Sequence, residues 1–175
     1  MTYFSLSRRA VIATALVLAG AVAHADDTAL LATYDQVNSA DIETAELGAI
    51  NGHSAKVRAL AVMVLRDHAG VRQMARDIAA AAGVTYDLPA NADMLADHKA
   101  AIARLSALQG TAFDAAYLQH ESTFHTAAID AVKQVLIPTA ETSEFRDHLE
   151  AVLPAFEHHL AVTLETARAL GYEIE

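Results

Sequence analysis

Residues 54–82 decide the fold, and they read SAKVRALAVMVLRDHAGVRQMARDIAAAA. From Val57 to Ala82 an apolar residue recurs every three or four positions, which places those side chains on one face of an α-helix. The only polar residue in this series is His68. A buried imidazole needs a polar partner, because an unpaired polar group in an apolar environment costs free energy. We therefore predict a long amphipathic helix that carries His68 into the core.

The rest of the chain after residue 26 has the same helical period, and no segment shows the alternation of a β-strand. Turn-forming residues separate the helical segments at Asn51-Gly52, Gly83, Gly110 and Pro138. The predicted helices cover residues 27–50, 54–82, 91–109, 111–137 and 142–171. The predicted fold class is all-α: an up-and-down four-helix bundle with an additional shorter helix, joined by short loops.

The N-terminus has the pattern of a signal peptide. Arg8 and Arg9 precede an apolar run over residues 10–22, and Ala23-His24-Ala25 matches the small-x-small site of signal peptidase. We expect cleavage after Ala25, which leaves residues 26–175 as a single helical domain that is periplasmic or otherwise exported. No stable membrane span is expected after cleavage. The two arginines fit either a twin-arginine signal or an ordinary one.

Composition excludes several classes of function. The formal net charge is −10, which argues against nucleic acid and anionic lipid as partners. The chain has no cysteine, so disulfides, thiolate metal sites and thiol catalysis are excluded. It also lacks a glycine-rich phosphate loop and a serine nucleophile elbow, and no nucleophile with an activating base points to a hydrolase. Whether the protein is an enzyme, and which proteins it contacts, stays open.

Histidine and glutamate recur at positions that we predict to face inward. Helical bundles build metal sites from such side chains on facing helices, and imidazole with carboxylate suits iron, copper or zinc. We therefore predict a transition-metal site. The candidate ligands are Glu46, His68, His125 and His159, with Glu121 and His98 as ligands or as hydrogen-bond partners of ligands.

Two alternatives stay beside this prediction. A metal-free network of histidine and glutamate, which Tyr117 could join, would suit a non-catalytic envelope interaction or stress protein. The Glu-x-x-His motif of carboxylate-rich di-iron bundles is absent, because Glu121 and His125 lie one residue further apart. The His-Glu-x-x-His motif of zinc proteases is absent too.

Four segments carry a resemblance to a known family. They are AELG at 45–48, LRDH at 65–68, LSALQGTAFDAAYL at 105–118 with His125 after it, and LPAFEHHL at 153–160. With these segments the chain resembles the exported ferritin-like family catalogued as domain of unknown function 4142, whose members are often labelled predicted outer-membrane proteins. The resemblance implies a ferritin-like bundle outside the cytoplasm and carries no established reaction.

Overall fold

The computed structural model describes residues 27–174, so the predicted signal peptide and its cleavage site lie outside the described residues. Within this range the chain is helical and contains no strand, which confirms the all-α prediction. The helices are α1 (Asp27–Asn51), α2 (Ala55–Ala81), α3 (Ala92–Ser106), α4 (Gly110–Ala131), a π-helical segment (Val132–Leu136), α5 (Ile137–Thr139) and α6 (Ser143–Leu170).

Two buried aspartates fix the relative directions of the four long helices. The Asp27 carboxylate, at the start of α1, accepts a hydrogen bond from the backbone N–H of Glu141 (2.9 Å), just before α6. The Asp114 carboxylate, at the start of α4, accepts from the backbone N–H groups of His53 and Ser54 (both 2.8 Å), just before α2. Helices α1 and α6 therefore begin at one end of the bundle, and α2 and α4 begin at the other.

Helix α3 lies outside this bundle and runs parallel to α1. Near its start the Gln36 amide pairs with the backbone of Asn91 through two hydrogen bonds (2.7 and 2.8 Å), and two turns later His98 Nε2 lies 2.8 Å from Glu43 Oε2. Because α3 carries the chain back along the bundle, α2 and α4 point the same way. The predicted up-and-down alternation holds when α3 is counted among the helices.

The core consists of two apolar clusters. Tyr34, Val71 and Phe145 belong to one cluster, whereas Val57, Val64 and Phe113 belong to the other. On each of the four long helices, buried polar residues occupy the turns between these clusters. They are Asn38 and Asp41 on α1, His68 on α2, Glu121 and His125 on α4, and His159 on α6. The bundle thus encloses a polar layer between two apolar ones.

The end of α4 differs from the prediction. Helix was expected to stop before Pro138, but helical backbone continues to Thr139 through the π-helical segment. A π-helical turn is wider than an α-helical one and tolerates a proline that cannot donate a hydrogen bond. Val135 lies in this π-helical segment and is 51% exposed.

Candidate metal centre

The polar layer brings together three histidines and one aspartate from all four long helices. His68, His125 and His159 each offer a ring nitrogen, and these nitrogens lie within 4.8 Å of one another. Asp41 joins them from α1, and all four residues are at most 2% exposed. These four side chains therefore lie at the same height along the bundle axis, which the sequence periodicity could not establish.

The first histidine of this centre is held by an amide on α1. Asn38 Nδ2 donates to the backbone carbonyl of Tyr34 (2.8 Å), which leaves its Oδ1 as an acceptor. His68 Nδ1 lies 2.9 Å from this oxygen, so Nδ1 carries the hydrogen. In the neutral ring, His68 Nε2 then presents its lone pair to the centre.

The other two histidines are held in the same manner by different acceptors. His125 Nδ1 donates to the backbone carbonyl of Glu121 (3.0 Å), one turn earlier on α4. His159 Nε2 donates to the carboxylate of Asp67 (3.1 Å), which also pairs with Arg66 at the surface. In the neutral rings the lone pairs of His125 Nε2 and His159 Nδ1 therefore face inward. Metal-binding histidines are typically fixed by such an outer hydrogen bond.

The inward atoms are spaced like ligands of one ion. His125 Nε2 lies 3.3 Å from His159 Nδ1 and 3.7 Å from Asp41 Oδ2, and Asp41 Oδ2 lies 2.9 Å from His68 Nε2. Atoms bound to one ion at about 2.1 Å are roughly 3 to 4 Å apart. The short contact between Asp41 and His68 forms an ion pair when His68 is protonated.

The charge of the centre favours a cation. Burial opposes ionisation of Asp41, but the neighbouring His68 outweighs it and lowers the pKa of this carboxyl. Burial lowers the pKa of His125 to about 4 and also lowers the pKa of His159, so both rings are neutral at pH 7. No buried side chain between residues 27 and 174 is a lysine or arginine. A carboxylate and inward ring nitrogens thus share a dry site that contains no lysine or arginine.

A second carboxyl group borders the centre. Glu121 Oε2 lies 3.6 Å from His125 Nδ1, and both Glu121 side-chain oxygens are buried without an aligned hydrogen bond. Burial and the nearby charge of Asp41 raise the pKa of Glu121 well above its usual value, which favours the protonated carboxyl. The hydroxyl group of Tyr117 is buried beside it. Glu121 can therefore act as a further ligand once a cation displaces its proton.

We expect the substitution Glu121→Gln to stabilise the metal-free protein at pH 8. Because the pKa of Glu121 is raised in the folded chain, the folded chain releases this proton at a higher pH than the unfolded chain, whose ordinary pKa is about 4.5, so this residue costs stability as the pH rises. Glutamine stays neutral and removes this cost, which should raise the free energy of unfolding by on the order of 1 kcal/mol. Urea unfolding of EDTA-treated protein at pH 5 and pH 8 measures this change in the free energy of unfolding. We expect the increase at pH 8 only.

The control for this substitution is Glu46→Gln, because Glu46 lies on the exposed side of the same bundle. It should change the free energy of unfolding by less than about 0.5 kcal/mol at both pH values. A loss of stability in Glu121→Gln at pH 8 would contradict the raised pKa that we assign to Glu121.

The structure separates the other two predicted ligands from the centre. Glu46 is exposed, so the prediction that it shares the buried face of α1 is wrong. The buried face of α1 is rotated by about one residue from the face that we predicted, and it carries Asp41 instead. His98 lies on α3, outside the bundle, where it pairs with Glu43. His68, His125 and His159 come together as ligand candidates, and Glu121 lies beside them.

Sequence reasoning missed three residues of the centre. Asp41 and Asn38 share a three- and four-residue spacing with apolar positions of α1, and this spacing could have identified them. The buried series on α1 is Leu31, Tyr34, Asn38, Asp41, Ala45 and Gly48. Asp67 was not among the predicted site residues, but its carboxylate accepts the outer hydrogen bond of His159. No signal within α2 could reveal that contact, because it depends on the position of α6.

None of the helices between residues 27 and 174 combines the length and hydropathy that a membrane span requires. No curated protein and no solved structure matches the chain. A family model described as "Domain of unknown function (DUF4142)" matches residues 13–166, which is most of the sequence. The chain therefore belongs to the DUF4142 family.

Proposed function

We propose that this protein binds one transition-metal ion, iron, copper or zinc, in the polar layer of its bundle. The ligands are His68 Nε2, His125 Nε2, His159 Nδ1 and a carboxylate oxygen of Asp41, with Glu121 as a further ligand. The single observation that supports this proposal is the orientation of the three imidazoles. Each uses its outer nitrogen as a donor, so three lone pairs and a carboxylate meet in a buried site.

The same orientation disfavours the metal-free network. Two facing lone pairs only 3.3 Å apart, on His125 and His159, repel each other unless a proton or a cation lies between them. A proton there would create an imidazolium, which burial opposes, since the pKa of His125 is about 4. A metal ion instead satisfies both nitrogens and neutralises Asp41 at once.

We also propose that the bundle is ferritin-like and that the protein is exported. Ferritin-like bundles contain four long helices with one long crossover connection, and α3 provides such a crossover between α2 and α4. Export rests on the sequence of residues 1–25, whose basic, apolar and small-x-small regions follow the order of a signal peptide. The chain contains no cysteine, so thiol oxidation in an oxidising compartment cannot remove a ligand of this site.

Metal content and thermal stability test the proposal. Purified full-length protein should contain about one transition-metal ion per chain by plasma mass spectrometry. Adding zinc sulfate to EDTA-treated protein should raise Tm, because a ligand at 100 times its Kd adds about 2.7 kcal/mol to the free energy of unfolding. Zinc, copper(II) and iron(II) should each be tried, since nitrogen and oxygen sites bind copper and zinc tightly whatever the physiological ion. If none of them binds or raises Tm, the proposal is wrong.

A further inference from the structure

A second feature lies on the outer side of α1, away from the metal centre. Here α1, α3 and α4 enclose a pocket of about 520 Å³, together with the loop that precedes α3. This volume is within the range of pockets that bind small organic molecules. Ala40, His120 and Phe124 line it, and each directly precedes a residue of the centre in the sequence, so the pocket and the centre share a wall.

Most of the pocket surface is apolar. Val37, Leu95 and Phe124 are half-buried in its wall, whereas Leu88 and Met94 are 46% and 37% exposed. These last two are among the few large apolar side chains that are exposed between residues 27 and 174. Exposed apolar residues that gather at one pocket indicate a binding surface more often than scattered ones do.

One corner of the pocket is basic, although the chain as a whole is strongly acidic. Arg104, His98 and His120 line this corner. Arg104 is exposed and forms no ion pair with any carboxylate in the described part of the chain.

The pocket also contains two carboxylates, and neither neutralises Arg104. Glu43 Oε2 is 2.8 Å from His98 Nε2 and thus already has a partner. Asp97 lies two turns before Arg104 on α3, so their backbones are about 10 Å apart along the helix axis. The guanidinium group therefore provides the positive end of a pocket whose middle is apolar.

We propose that this pocket binds a small organic anion, with its apolar body against Val37, Leu95 and Phe124 and its anionic group on Arg104. The class includes aromatic and short aliphatic carboxylates. This site is distinct from the metal centre, and its occupancy does not require the ion.

Two fluorescent probes that differ by one charged group test the proposal on EDTA-treated full-length protein. N-phenyl-1-naphthylamine is neutral, and 8-anilino-1-naphthalenesulfonate is the same molecule with a sulfonate. We expect the sulfonate to bind roughly fivefold more tightly, as one partly exposed ion pair allows. Arg104→Gln should remove this difference and leave binding of the neutral probe unchanged, whereas Lys99→Gln, an exposed residue of α3 outside the pocket, should change neither.

A bulky substitution tests the position of the site. Val37→Trp should weaken binding of both probes more than about tenfold by filling the pocket. The matched control is Val62→Trp, because Val62 is an exposed valine on α2. The chain has no tryptophan, so indole emission also reports whether each variant folds. The proposal is overturned if the wild type binds neither probe, if the two probes bind equally, or if a folded Val37→Trp variant binds them normally.

Discussion

Replacing His159 by glutamine is expected to weaken metal binding more than about 100-fold. Changes to residues that merely support a metal ligand already cost about 10- to 100-fold in affinity, and His159 is proposed as a ligand itself. Its Nδ1 lies 3.3 Å from His125 Nε2 in the buried centre of the bundle. Competition titration of EDTA-treated protein with zinc and a chromophoric chelator measures the affinity.

The preceding residue provides a matched control. His158 is exposed, so His158→Gln removes an imidazole next to the same position of α6 without touching the polar layer. This variant should keep the wild-type affinity and the wild-type rise in Tm with zinc. If both variants lose affinity equally, or if neither does, the ion is bound elsewhere on the chain. Circular dichroism at 222 nm verifies that each variant remains helical.

Acid is expected to destabilise the metal-free protein well before its aspartates titrate. His125 has a pKa of about 4 in the folded chain and about 6.5 when unfolded, so between these values the unfolded chain binds more protons. The contribution of His125 to stability is therefore complete above about pH 6.5 and falls as the pH is lowered toward 4. A shift of this size corresponds to about 3 kcal/mol in the free energy of unfolding. Urea unfolding at pH 4.5, 5.5, 6.5 and 7.5 measures the fall.

The contribution of His125 is the difference between the wild type and His125→Gln. Burial also lowers the pKa values of His120, His148 and His159, whereas the raised pKa of Glu121 works in the opposite direction. The variant should therefore keep part of the pH dependence but show a shallower slope between pH 4.5 and 6.5. Equal slopes in the two proteins would show that His125 is as readily protonated in the folded chain as in the unfolded one.

The sequence predicted α2 well because this helix has a uniform apolar face. Every position from Val57 to Ala75 in its three- and four-residue series is buried, and His68 is buried among them as expected. The periodicity was sufficient because apolar residues define the buried side of the helix by themselves. Similar reasoning identified His125 and His159, which also lie on largely apolar faces.

The prediction failed on α1 for the opposite reason. Its buried side includes charged and amide residues, among them Asp35, Asn38 and Asp41, so hydrophobicity does not mark which side faces the core. The apolar residues of α1 predicted a face that is rotated from the true buried side, and that face included Glu46, which is exposed. Buried polar residues are tolerated there because partners on other helices satisfy them, such as Arg76 for Asp35 and His68 for Asn38.

The sequence alone determined the all-α class, the number of long helices and three histidines that face inward, because these follow from local periodicity and turn residues. Only the tertiary structure decided that the histidines lie at one height, that Asp41 joins them, and that Asp67 and Asn38 fix their outer nitrogens. Those features depend on how helices distant in sequence are placed against each other. Periodicity gives the direction of a side chain around its own helix, whereas packing gives its level relative to the others.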